Sequence, residues 1–529
     1  MSRPCNQKLF VAYFCLVLTK ILSASHFGLE QNLIEVEVNV FKKGFPGFSI
    51  IGLPNKSIEE AKERVKTALI NSDIDIPNSK IVVNLAPADI PKEGSLYDLP
   101  IAIGILASLG NVKLPEEKSF FYGELSLDGG LRHTKGVFLL GLAAKKLGIK
   151  NIFVPSDSAN EAAVLSGVDV YPVFSLKELI AHLNGIKKIE KLSHSAKASA
   201  GQFAEEQQIE FDFSEIIGQE SAKRAMTIAA AGGHNIFLVG TPGAGKTMLA
   251  RATAGILPLL NEEEALEVTK IYSVSGLIPA GEGLIRSRPF RTAHHTTSLI
   301  GLIGGGTNPH PGEISLAHNG VLFLDEFPEF SRGTLEALRQ PLEDRKVSIT
   351  RIAGSAEFPA SFMLIAAANP CPCGYLGDPK RECKCTPRMV MNYQSRLSGP
   401  LMDRIDLHLN VPAVDVNKLM TNNSSLVTRN SKTIREQVIK ARNIQNKRFK
   451  GLSVFVNANM KNKHIKEFVE ITPESLLLLK QAVNTYNLSA RTYFRLIKVG
   501  QTIADLADST SILPNHVAEA LQYRVRTND

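Results

Sequence analysis

The sequence predicts an α/β protein of three parts, and three observations support that prediction. Short apolar runs alternate with segments of helical periodicity over residues 25–185 and again over 211–415, as in domains built on sheets covered by helices. A stretch rich in lysine, serine and glutamine at 186–210 lacks an apolar period and is typical of a linker. Residues 432–525 have helical periodicity throughout and predict an all-helical last domain.

The composition permits a nucleic-acid partner without requiring one. The chain has 529 residues, with 60 Lys and Arg against 52 Asp and Glu, and a formal charge of +8. Hydrophobic residues make up 44% and charged residues 21%, which is typical of globular domains. A mildly basic protein can bind DNA, but many basic proteins bind none.

A glycine-rich loop between a strand and a helix is the strongest motif. The apolar run 236–239 predicts the strand, and 248–254 predicts the helix. Backbone amides of such a loop surround phosphates, the lysine neutralises them, and the hydroxyl after it binds Mg²⁺. A turn that happens to end in Lys-Thr is the alternative, which the flanking elements disfavour. The motif predicts ATP and Mg²⁺ as cofactors, and its residues are Gly240, Thr241, Pro242, Gly243, Ala244, Gly245, Lys246 and Thr247.

Two further strands end in polar side chains. The run 321–324 leads into Asp325, which would hold Mg²⁺ through water, and Glu326, which would deprotonate the attacking water. The run 362–367 leads to Asn369, whose amide could reach that water or the γ-phosphate. With the glycine-rich loop, these residues predict an ATPase.

Two arginines are candidates for stabilising the transferring phosphoryl group. Arg404 lies in the segment that follows the predicted strand 362–367, and Arg491 lies near the start of a helix in the last domain. Such arginines are often supplied by a neighbouring subunit. For either residue taken alone, a surface salt bridge is the alternative.

The N-terminal residues 1–24 are predicted to be an extension. Arg3 and Lys8 precede the apolar run 9–18, and Ser23-Ala24-Ser25 follows, which together resemble a weak secretory signal. The favoured interpretation is an extension of a cytoplasmic protein, or a start site placed too early, because the ATP site needs cytosolic ATP. The apolar run is too short to span a bilayer, so no membrane association is expected.

Four of the six cysteines lie within fifteen residues of one another, as two C-x-C pairs: Cys371, Cys373, Cys383 and Cys385. Four thiolates can form a tetrahedral Zn²⁺ site, although C-x₂-C is the commoner spacing. Free reduced thiols are the alternative.

A basic hairpin and a set of histidines are further candidate binding sites. Val347 and Ile349 alternate with polar residues and predict a hairpin, in which Lys346 and Arg351 are candidates for DNA phosphate contacts. An ordinary solvated hairpin is the alternative. The histidines are interpreted as part of an insert loop, because no nearby carboxylate or cysteine completes a metal set, and they are His294, His295 and His310.

Seven long segments carry a family resemblance: 44–72, 81–107, 216–252, 288–306, 311–330, 366–375 and 398–408. Together they resemble the AAA+ class, and specifically the ComM/YifB family of bacterial magnesium-chelatase-like ATPases. The resemblance implies an AAA+ P-loop core with a helical lid, assembled as a hexameric homo-oligomer with ATP between subunits. It implies that Asn369 is sensor 1, Arg404 the arginine finger and Arg491 sensor 2. It also implies a DNA partner and branch migration during natural transformation and recombination.

In the first domain, the segments 91–95 and 123–127 resemble parts of the Lon protease domain, which has a ribosomal-S5-like α/β fold. The nucleophilic serine and the lysine of that family's dyad align with Leu96 and Leu140, while Ser95 is one residue off and Lys135 precedes the helix. Leucine is neither a nucleophile nor a base, so a scaffold without peptidase activity is predicted.

Two other functions stay open on sequence alone. One is a chelatase-like or chaperone-like ATPase that remodels a protein partner, and the less favoured one is an ATP-dependent protease. One departure from the family pattern is Gly500, where the family usually has alanine in its last domain.

Overall fold

The structure is a computed structural model of the chain. It describes residues 18–41, 45–52, 56–90, 92, 94–192, 210–351, 354–378, 380–413, 430–452 and 454–524. Most of the predicted N-terminal extension and most of the predicted linker lie outside the described residues.

The described residues divide into two compact units. The first takes residues from Met1–Gly201 and Ser273–Leu284, and the second from Gln202–Tyr272 and Ile285–Asp529. The C-terminal helices, predicted as a separate domain, therefore belong to the same unit as the glycine-rich loop. A short later segment also returns to the first unit.

A seven-stranded mixed sheet forms the centre of the first unit. Its strands are β1 (Thr19–Phe27), β2 (Glu30–Phe41), β3 (Gly47–Ile51), β4 (Lys80–Ala86), β5 (Ser119–Phe121), β8 (Asn151–Pro155) and β9 (Asp169–Val173), beside a small pair, β6 (Glu124–Leu125) and β7 (Leu131–Arg132). The order is β3-β4-β2-β1-β5-β8-β9, with β2 antiparallel to both of its neighbours. Ile34, Val36 and Val38 alternate with polar residues along β2 and are fully buried, as a half-buried strand requires.

Strand β1 begins at Thr19, inside the segment 1–24 that was predicted to be an extension. The run Ser23-Ala24-Ser25, which resembles a cleavage site, is buried in this strand, and Ser23 pairs with Ile34 of β2. The sequence did not predict this strand, because the small residues of this run have weak strand propensity.

Helices of the first unit cover the sheet. They are α1 (Lys56–Asn71), α2 (Asp98–Leu109), α3 (Val137–Leu147), α4 (Ala159–Ala163) and α5 (Leu176–Leu183). Helix α2 is buried from Asp98 to Leu106, as its uniformly apolar sequence predicts. Leu96 and Leu140, at the positions of the protease dyad, both pack into this core. Neither position offers a nucleophile or a base.

The returning segment Ser273–Leu284 is held to the first unit by main-chain hydrogen bonds. The amide of Gly136 donates to the carbonyl oxygen of Ser273 at 3.1 Å, and the amide of Gly281 donates to that of Asp157 at 3.2 Å. The segment thus belongs to the first unit by packing, although it follows the linker by more than sixty residues.

A five-stranded parallel sheet forms the centre of the second unit. Its strands are β10 (Ile236–Val239), β11 (Phe290–Ala293), β14 (Val321–Leu324), β17 (Met363–Ala368) and β18 (Leu407–Asn410). The order is β11-β14-β17-β10-β18, and every pairing is parallel. The carboxyl ends of all five strands therefore meet at one edge, where ligands bind in such sheets. Short pairs lie outside it: β12 (Gly304–Gly305) with β13 (His310–Pro311), β15 (Lys346–Arg351) with β16 (Gly354–Pro359), and β19 (Glu470–Ile471) with β20 (Ser511–Ile512).

The C-terminal helices share a hydrophobic core with the sheet. Val438 and Ile503, from two of them, lie in one buried cluster with Leu249 of the helix after the glycine-rich loop. A smaller cluster, which includes Leu479 and Ile497, lies among the C-terminal helices themselves. The helices of this unit are α6 (Glu220–Gly232), α7 (Lys246–Ile256), α8 (Glu262–Ser275, which ends in the first unit), α9 (Leu299–Ile303), α10 (Glu313–Leu316), α11 (Arg332–Ala337), α12 (Arg339–Asp344), α13 (Pro387–Gln394), α14 (Gly399–Met402), α15 (Ser431–Arg448), α16 (Asn462–Phe468), α17 (Pro473–Thr485), α18 (Ala490–Leu506) and α19 (Pro514–Gln522).

Gly500 lies inside α18, where glycine costs about 1 kcal/mol relative to alanine. A Cβ at this position would lie 3.5 and 3.7 Å from two side-chain carbons of Ile512, which is ordinary van der Waals contact. Gly500→Ala is therefore expected to stabilise the second unit by about 0.5–1 kcal/mol. The thermal unfolding midpoint, measured by calorimetry, should rise by about 2 °C.

Gly232→Ala is the matched control in the same unit. A Cβ at Gly232 would lie 2.3 Å from Nε2 of His234 and 2.5 Å from Oγ1 of Thr502, so this variant should unfold at a lower temperature. A Gly500→Ala protein that also unfolds below the wild type would contradict the packing described around α18.

Candidate active site

The glycine-rich loop lies at the carboxyl edge of the parallel sheet, between β10 and α7. Gly243 and Gly245 have φ angles of +78° and +86°, in the left-handed region that favours glycine. A Cβ at Gly240 would lie 2.3 Å from the carbonyl oxygen of Val411. Glycine is thus required at three positions of a loop that leads directly into a helix N-terminus, and this geometry fits phosphate binding.

The amine of Lys246 lies at the centre of this loop. Its Nζ donates hydrogen bonds to the carbonyl oxygens of Gly240 at 2.6 Å and Thr241 at 3.0 Å, and to Oδ1 of Asn369 at 3.1 Å. Burial lowers the pKa of the Lys246 ammonium. Lys246 and Asn369 meet, although 123 residues separate them, because β10 and β17 are neighbours in the sheet.

Thr247 and Asp325 form the second contact across the site. The Thr247 hydroxyl donates to Oδ2 of Asp325 at 3.0 Å, and Oδ1 of Asp325 accepts from the amide of Glu326 at 2.9 Å. Carboxylate and hydroxyl oxygens are hard donors that suit Mg²⁺. These two residues would hold the ion, which supplies positive charge next to the phosphates.

The carboxylate of Glu326 is half exposed and contacts a histidine. Its Oε2 lies 2.9 Å from Nδ1 of His295, and one ligand atom from each of His294, His295 and Glu326 lies within 4.8 Å of the others. Sequence spacing offered no carboxylate to complete a set with these histidines, and the structure brings Glu326 to two of them. His294 and His295 follow β11, and Glu326 follows β14, so the pairing of these two strands brings the three residues together. His310 lies elsewhere, in β13. Sequence spacing carries no signal for this contact.

Arg404 and Arg491 line one cleft of about 340 Å³. Two more cations, Arg495 and Lys498, line it too, and burial lowers the pKa of Lys498 to about 8. The Arg404 guanidinium contacts the carboxylate of Glu343. Among the described hydrogen bonds, neither Arg404 nor Arg491 bonds to the glycine-rich loop of its own chain.

The four clustered cysteines converge as predicted. The Sγ atoms of Cys371 and Cys373 are 3.4 Å apart, and each lies 3.6 Å from the Sγ atom of Cys383. Cys385 completes a group in which all four sulfurs lie within 4.8 Å of one another.

The predicted hairpin forms from β15 and β16. Val347 and Ile349 are buried, while Lys346 and Arg351 are exposed. Lys346 Nζ donates to Oε1 of Glu357 at 2.8 Å, so the positive charge of Lys346 is paired. Arg351 donates only to backbone oxygens among its described contacts.

A parallel sheet that carries a phosphate-binding loop, an aspartate–glutamate pair and a polar residue on adjacent strand ends defines a P-loop nucleotide hydrolase. Comparison with known families specifies the type. Residues 212–419 match the magnesium chelatase subunit ChlI family, residues 36–158 match the ChlI subunit family of Mg-chelatase, and residues 428–524 match the ChlI C-terminal family. The second unit is accordingly an AAA+ P-loop ATPase core.

The chain belongs to the ComM/YifB family of magnesium-chelatase-like AAA+ ATPases. It is 42% identical over 511 residues to competence protein ComM of Haemophilus influenzae, which covers 96% of this chain and 97% of that protein. It is 41% identical over 511 residues to the uncharacterized protein YifB of Escherichia coli K12, with the same coverage. A more distant similarity, 23% identity over 355 residues, joins 59% of this chain to 35% of the DNA replication licensing factor mcm6 of Dictyostelium discoideum.

Within the described part of the chain, every helix is too short or too polar to cross a lipid bilayer.

Proposed function

We propose that this protein is a cytoplasmic ring ATPase, a hexamer, that couples ATP hydrolysis to the remodelling of DNA, and specifically to branch migration in natural transformation and homologous recombination. The observation that carries the proposal is a pair of hydrogen bonds, Lys246–Asn369 and Thr247–Asp325, which bring the four residues together at one edge of the sheet. The names of two relatives support the DNA role, since one is a competence protein and the other a DNA replication factor.

Each residue of the site has a distinct role in this proposal. Lys246 neutralises the β- and γ-phosphates, while Thr247 and Asp325 hold Mg²⁺. Glu326 accepts a proton from the attacking water, and Asn369 orients that water or the γ-phosphate. Lys246 also contacts Asn369 at 3.1 Å, so the phosphate-binding amine and the sensor amide are placed by one hydrogen bond.

Ring assembly would bring a second set of charges to the nucleotide. Four cations line the cleft, while Glu343 contacts Arg404 and buried Asp406 pairs with Arg495, so positive charges exceed negative ones by two. Such a surplus of positive charge suits a polyphosphate on a neighbouring subunit, where Arg404 would act as the finger and Arg491 as sensor 2. The contact between Arg404 and Glu343 would then have to open.

Removing the unpaired charge of the hairpin should weaken DNA binding. Arg351→Ala is expected to lower affinity for single-stranded DNA and to reduce the slope of log affinity against log salt by about 1, because one phosphate contact is lost. Lys346→Ala should change both quantities less, because Glu357 already neutralises Lys346 at 2.8 Å. Fluorescence anisotropy of labelled DNA over a salt series measures both.

The same proteins test the coupling to ATP hydrolysis. Phosphate release is measured without DNA, with single-stranded DNA and with a four-way junction. DNA should stimulate the wild type, and Arg351→Ala should lose the stimulation while keeping its basal rate. Hydrolysis indifferent to every form of DNA would refute the DNA-remodelling proposal and favour the alternative, an ATPase that remodels a protein partner.

A further inference from the structure

We propose that Cys371, Cys373, Cys383 and Cys385 bind one structural Zn²⁺ ion, and that the loop they close (residues 371–385, here called the cysteine loop) braces the glycine-rich loop of the ATPase site. The proposal uses the nucleotide site and is independent of the DNA role.

The spacing of the sulfur atoms fits a tetrahedral metal cage. The measured Sγ–Sγ separations are 3.4, 3.6 and 3.6 Å. A Zn–S bond of about 2.3 Å gives a tetrahedron with edges of about 3.8 Å, whereas a disulfide needs about 2.05 Å. Three sulfurs are thus already near the edges of such a tetrahedron, and Cys385 supplies the fourth ligand.

Backbone donors and basic side chains around the cage suit bound thiolates. The amides of Tyr375 and Lys384 hydrogen-bond to the sulfur of Cys373. Four thiolates and one Zn²⁺ carry a net charge of −2. The side chains of the loop offset part of it, since Lys380, Arg381 and Lys384 outnumber Asp378 and Glu382 by one positive charge. Hydrogen bonds and charges of this kind stabilise and orient metal ligands.

A side-chain contact closes the cysteine loop between its two C-x-C pairs. A guanidinium nitrogen of Arg381 donates to the hydroxyl of Tyr375 at 2.8 Å, and the guanidinium carbon lies 5.2 Å from the centre of that ring. Tyr375 is two residues after Cys373, and Arg381 is two residues before Cys383. The contact therefore holds the two pairs at the distance that one metal ion needs.

The cysteine loop packs directly on the glycine-rich loop. Gly374, with a φ of +86°, approaches Pro242 so closely that a Cβ would lie 2.7 Å from both Cγ and Cδ of that proline. The cysteine loop also begins two residues after Asn369, whose amide oxygen accepts from Lys246 at 3.1 Å. A metal ion that fixes this loop therefore fixes two walls of the ATP site.

Among the metals that thiolates bind, the closed set of four thiolates favours zinc. Thiolates select zinc, copper(I) and iron–sulfur clusters, and a closed set of four thiolates is the usual structural zinc site. Since all four positions are taken by protein ligands, the ion has no open position for water or substrate, and its role is to hold the loop.

Metal content is the first test, and it needs neither DNA nor ATP turnover. The full-length wild type should contain one zinc per chain by elemental analysis. Cys373→Ser/Cys383→Ser should lose it, and the matched control Cys5→Ser/Cys15→Ser, which removes the other two cysteines, should keep it. Cys385→His should also keep zinc, because three thiolates and an imidazole still complete a site.

Binding of a fluorescent ATP analogue tests the brace. Loss of zinc should raise its Kd about tenfold or more, since small displacements of positioning groups are costly. If the double variant does not fold, zinc is released instead from wild-type protein with a mercurial, while released zinc and bound nucleotide are followed together. Bound iron, a disulfide in freshly purified protein, or zinc loss with unchanged nucleotide affinity would each overturn the proposal.

Discussion

Glu326→Gln is expected to leave ATP binding intact and to lower the rate of hydrolysis about a thousandfold. The amide keeps the shape of the side chain but has no basic oxygen to accept a proton from the attacking water. The carboxylate projects from the turn after β14, half exposed, with its backbone at a φ of +50°. Steady-state phosphate release and equilibrium binding of a fluorescent ATP analogue separate the two effects.

The matched control is Glu329→Gln, three residues later in the same turn. The Glu329 carboxylate lies 2.6 Å from a guanidinium nitrogen of Arg396 and has no place in the proposed chemistry. The Glu329→Gln protein should therefore keep most of the wild-type rate of ATP hydrolysis. A Glu326→Gln protein that retains more than about a tenth of wild-type turnover would rule out a general-base role for Glu326.

Asp406→Ala should lower the free energy of unfolding by about 3 kcal/mol or more, which is a larger loss than for any other substitution that we propose. Asp406 is buried before β18 and accepts from Arg495 of α18, from His234 at 3.3 Å and from the amide of Asn235 at 3.2 Å. Burial alone would raise its pKa, but Arg495 and His234 hold the pKa of the carboxyl well below its usual range. Removing it leaves Arg495 without its buried counter-charge. The unfolding midpoint should fall by roughly 6 °C or more.

The effect should depend on pH. Because the pKa of Asp406 is lowered in the folded protein, its contribution is complete at neutral pH and is lost as the pH falls below the ordinary carboxyl value of about 4. The gap between wild type and variant should therefore narrow in acid. Asp403→Ala is the control: this half-exposed carboxylate lies 3.3 Å from Arg524, and its loss should cost about 1 kcal/mol or less. Equal losses for both variants would contradict the special role of Asp406.

Features encoded over a few consecutive residues could be predicted from the sequence. The strand 236–239, the glycine-rich loop and the start of the following helix depend on local propensity and on glycines at fixed spacing. The aspartate–glutamate pair and Asn369 follow from apolar runs that end in polar residues. The hairpin followed from the alternation of Val347 and Ile349.

Features that depend on strand order could not be predicted in this way. His295 reaches Glu326 only because β11 lies beside β14, and Gly374 reaches Pro242 only because β17 lies beside β10. Helical periodicity likewise predicted a separate C-terminal domain, because periodicity shows where helices are but not which core they complete. The strand at Thr19–Phe27 was missed because its small residues gave little local signal.

The return of Ser273–Leu284 to the first unit has a practical consequence for dissecting this protein. A polypeptide started at residue 202 would keep that segment but lose its hydrogen-bonding partners, including the amide of Gly136 and the carbonyl oxygen of Asp157. Its main-chain groups would then face water or another molecule. Isolating the second unit therefore requires deletion of the N-terminal residues and replacement of residues 273–284 by a short linker. N-terminal truncation alone would leave main-chain groups unsatisfied and would favour aggregation.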